Sequence, residues 1–300
     1  MTSAAATVAL RVPRSLRIIA LPLTRAPHHF TYYHFVNPPA EGGKNADSLT
    51  NRAVAKALDV WAGFGKADEG SWKRRAFLYG ERIADRLDFE ELALRSLDPS
   101  LGPKLSSIIP RTRTKPHDTP TTKLLYPPSA LDSPIEHLHT LLSSRGPRHR
   151  KGLYTWLAVT PLTFPLKLIP IIPNFPFFFC AWRAWSHYRA YSASSYLDAL
   201  LKRGAIQPAP SPQLDAIYAK YAPAASRSEA HARPDSQAHS NSDTDTDTGG
   251  LLLTRNAVPE LQQALQAELG DFEESTSFAA GMYRALEQAR VRVEKSGKPS

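Results

Sequence analysis

The sequence predicts a mainly α protein: a helical chain with a proline-rich apolar helical hairpin embedded in a membrane and a short N-terminal β element. Three observations lead there. Residues 152–182, GLYTWLAVTPLTFPLKLIPIIPNFPFFFCAW, carry one formal charge, Lys167, over a length that a bilayer accommodates. Five prolines interrupt this stretch or its edge: Pro161, Pro165, Pro170, Pro173 and Pro176. Each removes a backbone donor and clashes with the preceding turn, so one straight helix is excluded and two arms are expected. Elsewhere, apolar residues recur at helical spacing in several separate segments.

Composition limits the alternatives. The chain has 300 residues and a net charge of +9, with a mean hydropathy of −0.34. Charge is spread too widely for a polytopic membrane protein. Five Trp, eleven Tyr and twelve Phe supply a core and exclude a wholly disordered chain. A single cysteine, Cys180, excludes an intramolecular disulfide and any cysteine-built zinc or iron–sulfur site.

Read from the start, residues 1–15 are rich in Ala, Ser, Thr and Arg and hold no acid, the composition of a mitochondrial targeting segment. A basic, unstructured tail is the competing reading. RIIALPLT (17–24) and HFTYYHFV (29–36) are β-prone and suit a short hairpin. His28, His29 and His34 lack companions at metal-ligand spacing, and no metal site or cofactor is expected. Helices are expected over 49–64, 69–97 and 132–144, and the apolar hairpin over 151–203. His137 and His139 are two apart and diverge on a helix. Residues 223–250 lose their hydrophobes and read as a disordered linker. Asp243, Asp245 and Asp247 open like a calcium loop, but Thr248 and Thr254 stand where Gly and Glu are needed. Residues 251–300 read as an amphipathic C-terminal helix with an interruption near Gly270, docking on the body or on a second copy.

The flanks of the apolar run are basic on both sides. Arg145, Arg148, Arg150 and Lys151 precede it; Arg183 and Arg189 follow, and no carboxylate occurs between Glu136 and Asp198. Trp156, Trp182 and Trp185 lie near the arm ends, where an interfacial aromatic belt belongs. Two basic ends favour a hairpin over a single kinked span, with both ends at anionic lipid headgroups. Lys167 would lie at the tip, either snorkelling to the interface or handling an ion.

IALPLT, WAGFGKADEGSWKRRAFLYGERIADRL, LLYPPS and, above all, TPLTFPLKLIPIIPNFPFFFCAWRAWSHYRA carry a family resemblance. Over about residues 16–204, within a region of 16–222, the chain resembles the fungal mitochondrial K+–H+ exchange-related protein family. The resemblance implies a mitochondrial location, inner-membrane association and a link to K+/H+ exchange. It carries no catalytic or ion-binding residue over. The function expected is a subunit or regulator of K+/H+ exchange and matrix potassium and volume homeostasis, in a homo-oligomer or an inner-membrane complex. A membrane-anchored scaffold or assembly factor without transport is the alternative. No glycine-rich phosphate loop, nucleophile elbow or paired-carboxylate signature is found, so enzymatic activity is not expected. The mixed-sign helices lack an aromatic–basic repeat, so no nucleic-acid partner is expected.

Overall fold

The computed structural model describes residues 15–25, 28–38, 49–108, 121–163, 175–221, 250–269 and 275–296. Most of the targeting segment, most of the linker, Lys167, Pro165, Pro170 and Pro173 lie outside them.

A four-stranded mixed sheet organises the chain. Strands β1 (Arg17–Pro22) and β2 (Thr31–Val36) form an antiparallel pair in which Ile19 faces His34. Strand β3 (Thr122–Tyr126) joins β1 in parallel, and β4 (Ile206–Pro210) joins β3 in parallel, giving the order β2-β1-β3-β4. The run RIIALP does not alternate because its strand is covered on both faces. Leu16, Ile18 and Ala20 enter one apolar core, while Ile19, Leu21 and Leu23 enter another. Strand β4 hides in the sequence because QPAP carries two prolines. At the edge of a sheet their missing donors cost no ladder bond.

Helices α1 (Leu49–Gly65) and α2 (Trp72–Asp85) precede α3 (Phe89–Ser96). Ring contacts of Trp61 with Phe77 and of Phe64 with Trp72 join the first two. The expected helix over 69–97 is thus divided, and Asp88 caps α3 by accepting from the Glu90 amide at 3.2 Å. Helix α4 (Pro134–Leu162) runs unbroken through Pro147, merging the expected 132–144 helix with the first hairpin arm. Helix α5 (Phe175–Lys202) returns antiparallel to it. Together they form the crossover that parallel strands β3 and β4 require. Helices α3, α4 and α5 cover one face of the sheet through Leu94, Leu97, Leu138, Leu142, Ala193 and Leu197. Helices α6 (Pro212–Tyr221), α7 (Ala257–Leu269) and α8 (Ser275–Ser296) cover the other through Leu214, Val258, Leu261, Phe278 and Met282.

The chain is mainly helical as expected, but the expectations of a membrane-embedded hairpin and of a β element confined to the N-terminus are corrected. The protein is an α/β/α layered fold, and no described helix is long and apolar enough to cross a membrane. The reason is the length of the apolar part, not of the helix. In α4 that part runs from Gly152 to Leu162, a rise of about 16 Å against a hydrocarbon core of about 30 Å. In α5, Arg183 interrupts the run two turns from the start. The inner halves of both helices are sheet-covering elements.

The C-terminal layer is tied back by polar contacts. The Leu252 amide donates to the Leu23 carbonyl at 2.7 Å. The Gln288 side chain accepts from the Phe89 amide and donates to the Leu87 carbonyl. Asp88 pairs with Arg145 at 3.1 Å and Arg292 at 2.9 Å, linking α3, α4 and α8. Burial raises the Asp88 pKa, but these two guanidiniums outweigh it and hold the carboxyl below its ordinary range. A depressed folded pKa stabilises the fold above the ordinary carboxylate range, and that stability fades as pH falls. Asp88→Ala is expected to cost about 2–3 kcal/mol at neutral pH, from the lost cap and paired charges. In urea titrations the gap between variant and parent is expected to narrow toward pH 3.

Candidate functional site: the α4–α5 hairpin

Beyond the layered body the two long helices pack mainly on each other. Trp156 meets Phe179 edge-on, with centroids 5.5 Å apart, and His149 meets His187 through their Nδ1 atoms at 3.2 Å. The two pairs run in opposite directions along the chain, 149 with 187 and 156 with 179, the pattern of two antiparallel helices. A Cβ on Gly152 would lie 2.8 Å from the His187 ring. Gly152→Val is expected to push the arms apart and lower stability by about 1–3 kcal/mol. Thermal unfolding checks the cost, and shifted imidazole resonances of His149 and His187 check the location.

Facing away from this seam, α4 presents Tyr154, Leu157, Ala158, Pro161 and Leu162, all exposed. Their spacing of three and four residues makes one helical stripe. Tyr154 is 65% exposed, Leu157 51% and Leu162 76%. Arg150 and Lys151 are exposed one turn below on the same face. On α5, Phe178 (66% exposed), Trp185 and Tyr188 form a second outward series, with the last two rings 5.5 Å apart. Apolar stripes of this kind normally turn inward, and here two turn outward.

The sequence assigned every flanking cation to headgroups, and the structure divides them. Arg148, Arg150 and Lys151 are exposed. Arg145 pairs with Asp88 and Glu90. Arg183 donates to Glu91 Oε1 at 2.8 Å, and Arg189 to the Arg95 carbonyl at 3.2 Å. Trp182 takes the Arg95 and Arg183 guanidiniums on its ring, 5.8 and 5.7 Å from the centroid. Trp156 is half-buried in the seam, Pro161 is exposed in the last turn of α4, and Pro176 stands in the first turn of α5, where proline is tolerated.

At the base of the hairpin lies a polar cluster that sequence reasoning missed. Glu91 Oε1 accepts from Arg183 and from the Ser186 hydroxyl at 2.9 Å. Arg183 Nη2 lies 3.0 Å from His187 Nε2. A guanidinium only donates, so His187 accepts at Nε2 and carries its proton on Nδ1. It donates that proton to His149 Nδ1, which leaves the His149 proton on Nε2, a buried atom with no hydrogen-bond partner among the described residues. Burial, with nearby His187, Arg145 and Arg148, pushes His149 down to about 4 against the opposing Glu91 charge. Burial likewise lowers His187, helped by Arg183 and Arg148. Burial raises Glu91, but Arg183, Ser186 and His187 more than reverse this and keep it ionised.

Fold and site together define a layered α/β/α body with a projecting helical hairpin whose outer faces are aromatic and basic. Residues 17–201, from β1 to the last turn of α5, match the family described as mitochondrial K+-H+ exchange-related, and the chain belongs to that family. Its family is thus a mitochondrial one. An uncharacterized protein of Schizosaccharomyces pombe is 29% identical over 205 residues, covering 67% of this chain and 81% of that protein. An uncharacterized protein of Saccharomyces cerevisiae is 36% identical over 87 residues, covering 28% of this chain and 27% of its own length. No solved structure matches the chain.

Proposed function

We propose that this chain is a subunit or regulator of mitochondrial K+/H+ exchange that docks on the inner membrane through the α4–α5 hairpin, rather than the exchanger itself. The observation that carries the reading is the outward stripe of Tyr154, Leu157, Pro161 and Leu162 above exposed Arg150 and Lys151. The segment from residue 137 to 197 contains no carboxylate to repel an anionic surface. Helices with an apolar face beside basic residues bind at the headgroup boundary without crossing it. The family description supplies the link to potassium and protons.

A cation pathway is usually built from carboxylates or carbonyl rings. Among the described residues, the buried carboxylates Glu90 and Glu91 are already engaged by Arg145, Arg292 and Arg183. That supports a role beside the exchanger. Potassium drawn into the matrix by the membrane potential brings water, and exchange against protons expels it. Mitochondria lacking the chain are expected to swell more slowly in potassium acetate, where acid entry drives potassium uptake through the exchanger. Swelling at the normal rate would overturn the exchange role and leave a docked scaffold.

A further inference from the structure

The polar cluster at the base of the hairpin takes no part in the docking surface. We infer that Glu91, His149 and His187 form a binding site for a divalent transition metal of the zinc class, with Arg183 as the competing resident cation. Three elements, α3, α4 and α5, each contribute one ligand atom, and these atoms lie within 4.8 Å of one another. All three residues are buried. Two imidazoles and a carboxylate are the donor set that Zn2+ and Co2+ accept, at about 2.0–2.2 Å each. Donors at that radius around a tetrahedral ion lie about 3.4 Å apart, by geometry from those bond lengths. The 3.2 Å between the two Nδ1 atoms meets this with little movement of either helix.

The hydrogen-bond chain shows how binding would proceed. His149 Nδ1 already directs a lone pair into the cluster. His187 must move its proton from Nδ1 to Nε2 to offer a second. Nε2 then becomes a donor facing Arg183 Nη2, so that contact breaks and the guanidinium turns away. No proton is lost in the exchange and no ligand is oxidised. Three protein ligands leave one coordination position for water. The bound ion would cross-link α3 to both arms of the hairpin.

The test uses the purified full-length chain, stripped with EDTA and titrated with Zn2+ and Co2+. One ion per chain after gel filtration, with the intense visible bands of tetrahedral Co2+, is the expected result. His149→Ala and His187→Ala are each expected to weaken binding by about 100-fold. Arg183→Gln removes a competing charge and is expected to tighten it by at least about tenfold. A surface histidine would not respond to that change. Substoichiometric binding by the wild-type chain, or a weak octahedral Co2+ spectrum, would overturn the site. So would unchanged affinity in folded alanine variants. The wild-type Co2+ spectrum and Arg183→Gln decide the matter should the alanine variants misfold.

Discussion

Leu157→Asp combined with Phe178→Asp is expected to release the chain from anionic vesicles while leaving its melting temperature nearly unchanged. Both side chains are more than half exposed in the free protein, so neither contributes much to its core. Exposed substitutions of this kind usually alter stability by no more than about 0.5 kcal/mol. At a membrane surface the balance is different. Each apolar side chain forfeits up to about 1.5–3 kcal/mol of insertion, and each new carboxylate is repelled by about 1 kcal/mol. Even with partial insertion, the pair is expected to weaken partitioning by at least about 100-fold. Reversing Arg150 and Lys151 to Glu is expected to act differently, abolishing the preference for anionic over neutral vesicles and the sensitivity to salt. Vesicle flotation measures both. Undiminished flotation of the Leu157→Asp/Phe178→Asp protein would contradict the docking surface.

The second large effect lies on the other side of the sheet. Phe278→Ala is expected to cost about 3–5 kcal/mol, the range for a fully buried aromatic. Its ring meets His34 edge-on at 5.2 Å and lies 6.3 Å from Tyr32, joining α8 to β2. The family match ends at residue 201, so this cost measures whether the C-terminal layer is an integral part of the fold. Burial also pushes His34 down to about 4 from an ordinary 6.5. A histidine kept neutral in the folded state stabilises the fold above its ordinary pKa, and that contribution declines as pH falls from about 6.5 to about 4. Opening the site to water should reduce this decline. Urea unfolding across that range is therefore expected to show a lower and flatter curve for Phe278→Ala. A cost below about 1 kcal/mol would remove α8 from the core.

What the sequence disclosed depended on whether the responsible contacts were local. The helical arms of the hairpin were legible from one apolar run that prolines divide, and the pairing of residues 17–24 with 29–36 from β-prone runs beside a tight turn. The continuity of α4 was not, because Gly146-Pro147 looks like a stop and the helix tolerates it. The doubly covered β1 looked like a simple hairpin strand because the residues covering it come from 89–97, 134–142, 190–200 and 251–289. The division of the cations was hidden for the same reason. Arg145 and Arg183 find their carboxylates on α3 or at its cap, some 55 to 95 residues away in sequence. His149 and His187 did leave a signal. One precedes and the other follows the proline-divided apolar run, so antiparallel arms bring them together, and Gly152 removes the side chain that would keep them apart.

The most direct measurement is potassium acetate swelling of mitochondria from cells lacking the chain, complemented either with the wild-type protein or with the Leu157→Asp/Phe178→Asp variant. Restored swelling with the wild type and none with an equally abundant variant is the outcome that surface docking and a role in exchange together require. Normal swelling without the chain would contradict the exchange role, and full rescue by the variant would contradict docking through the hairpin.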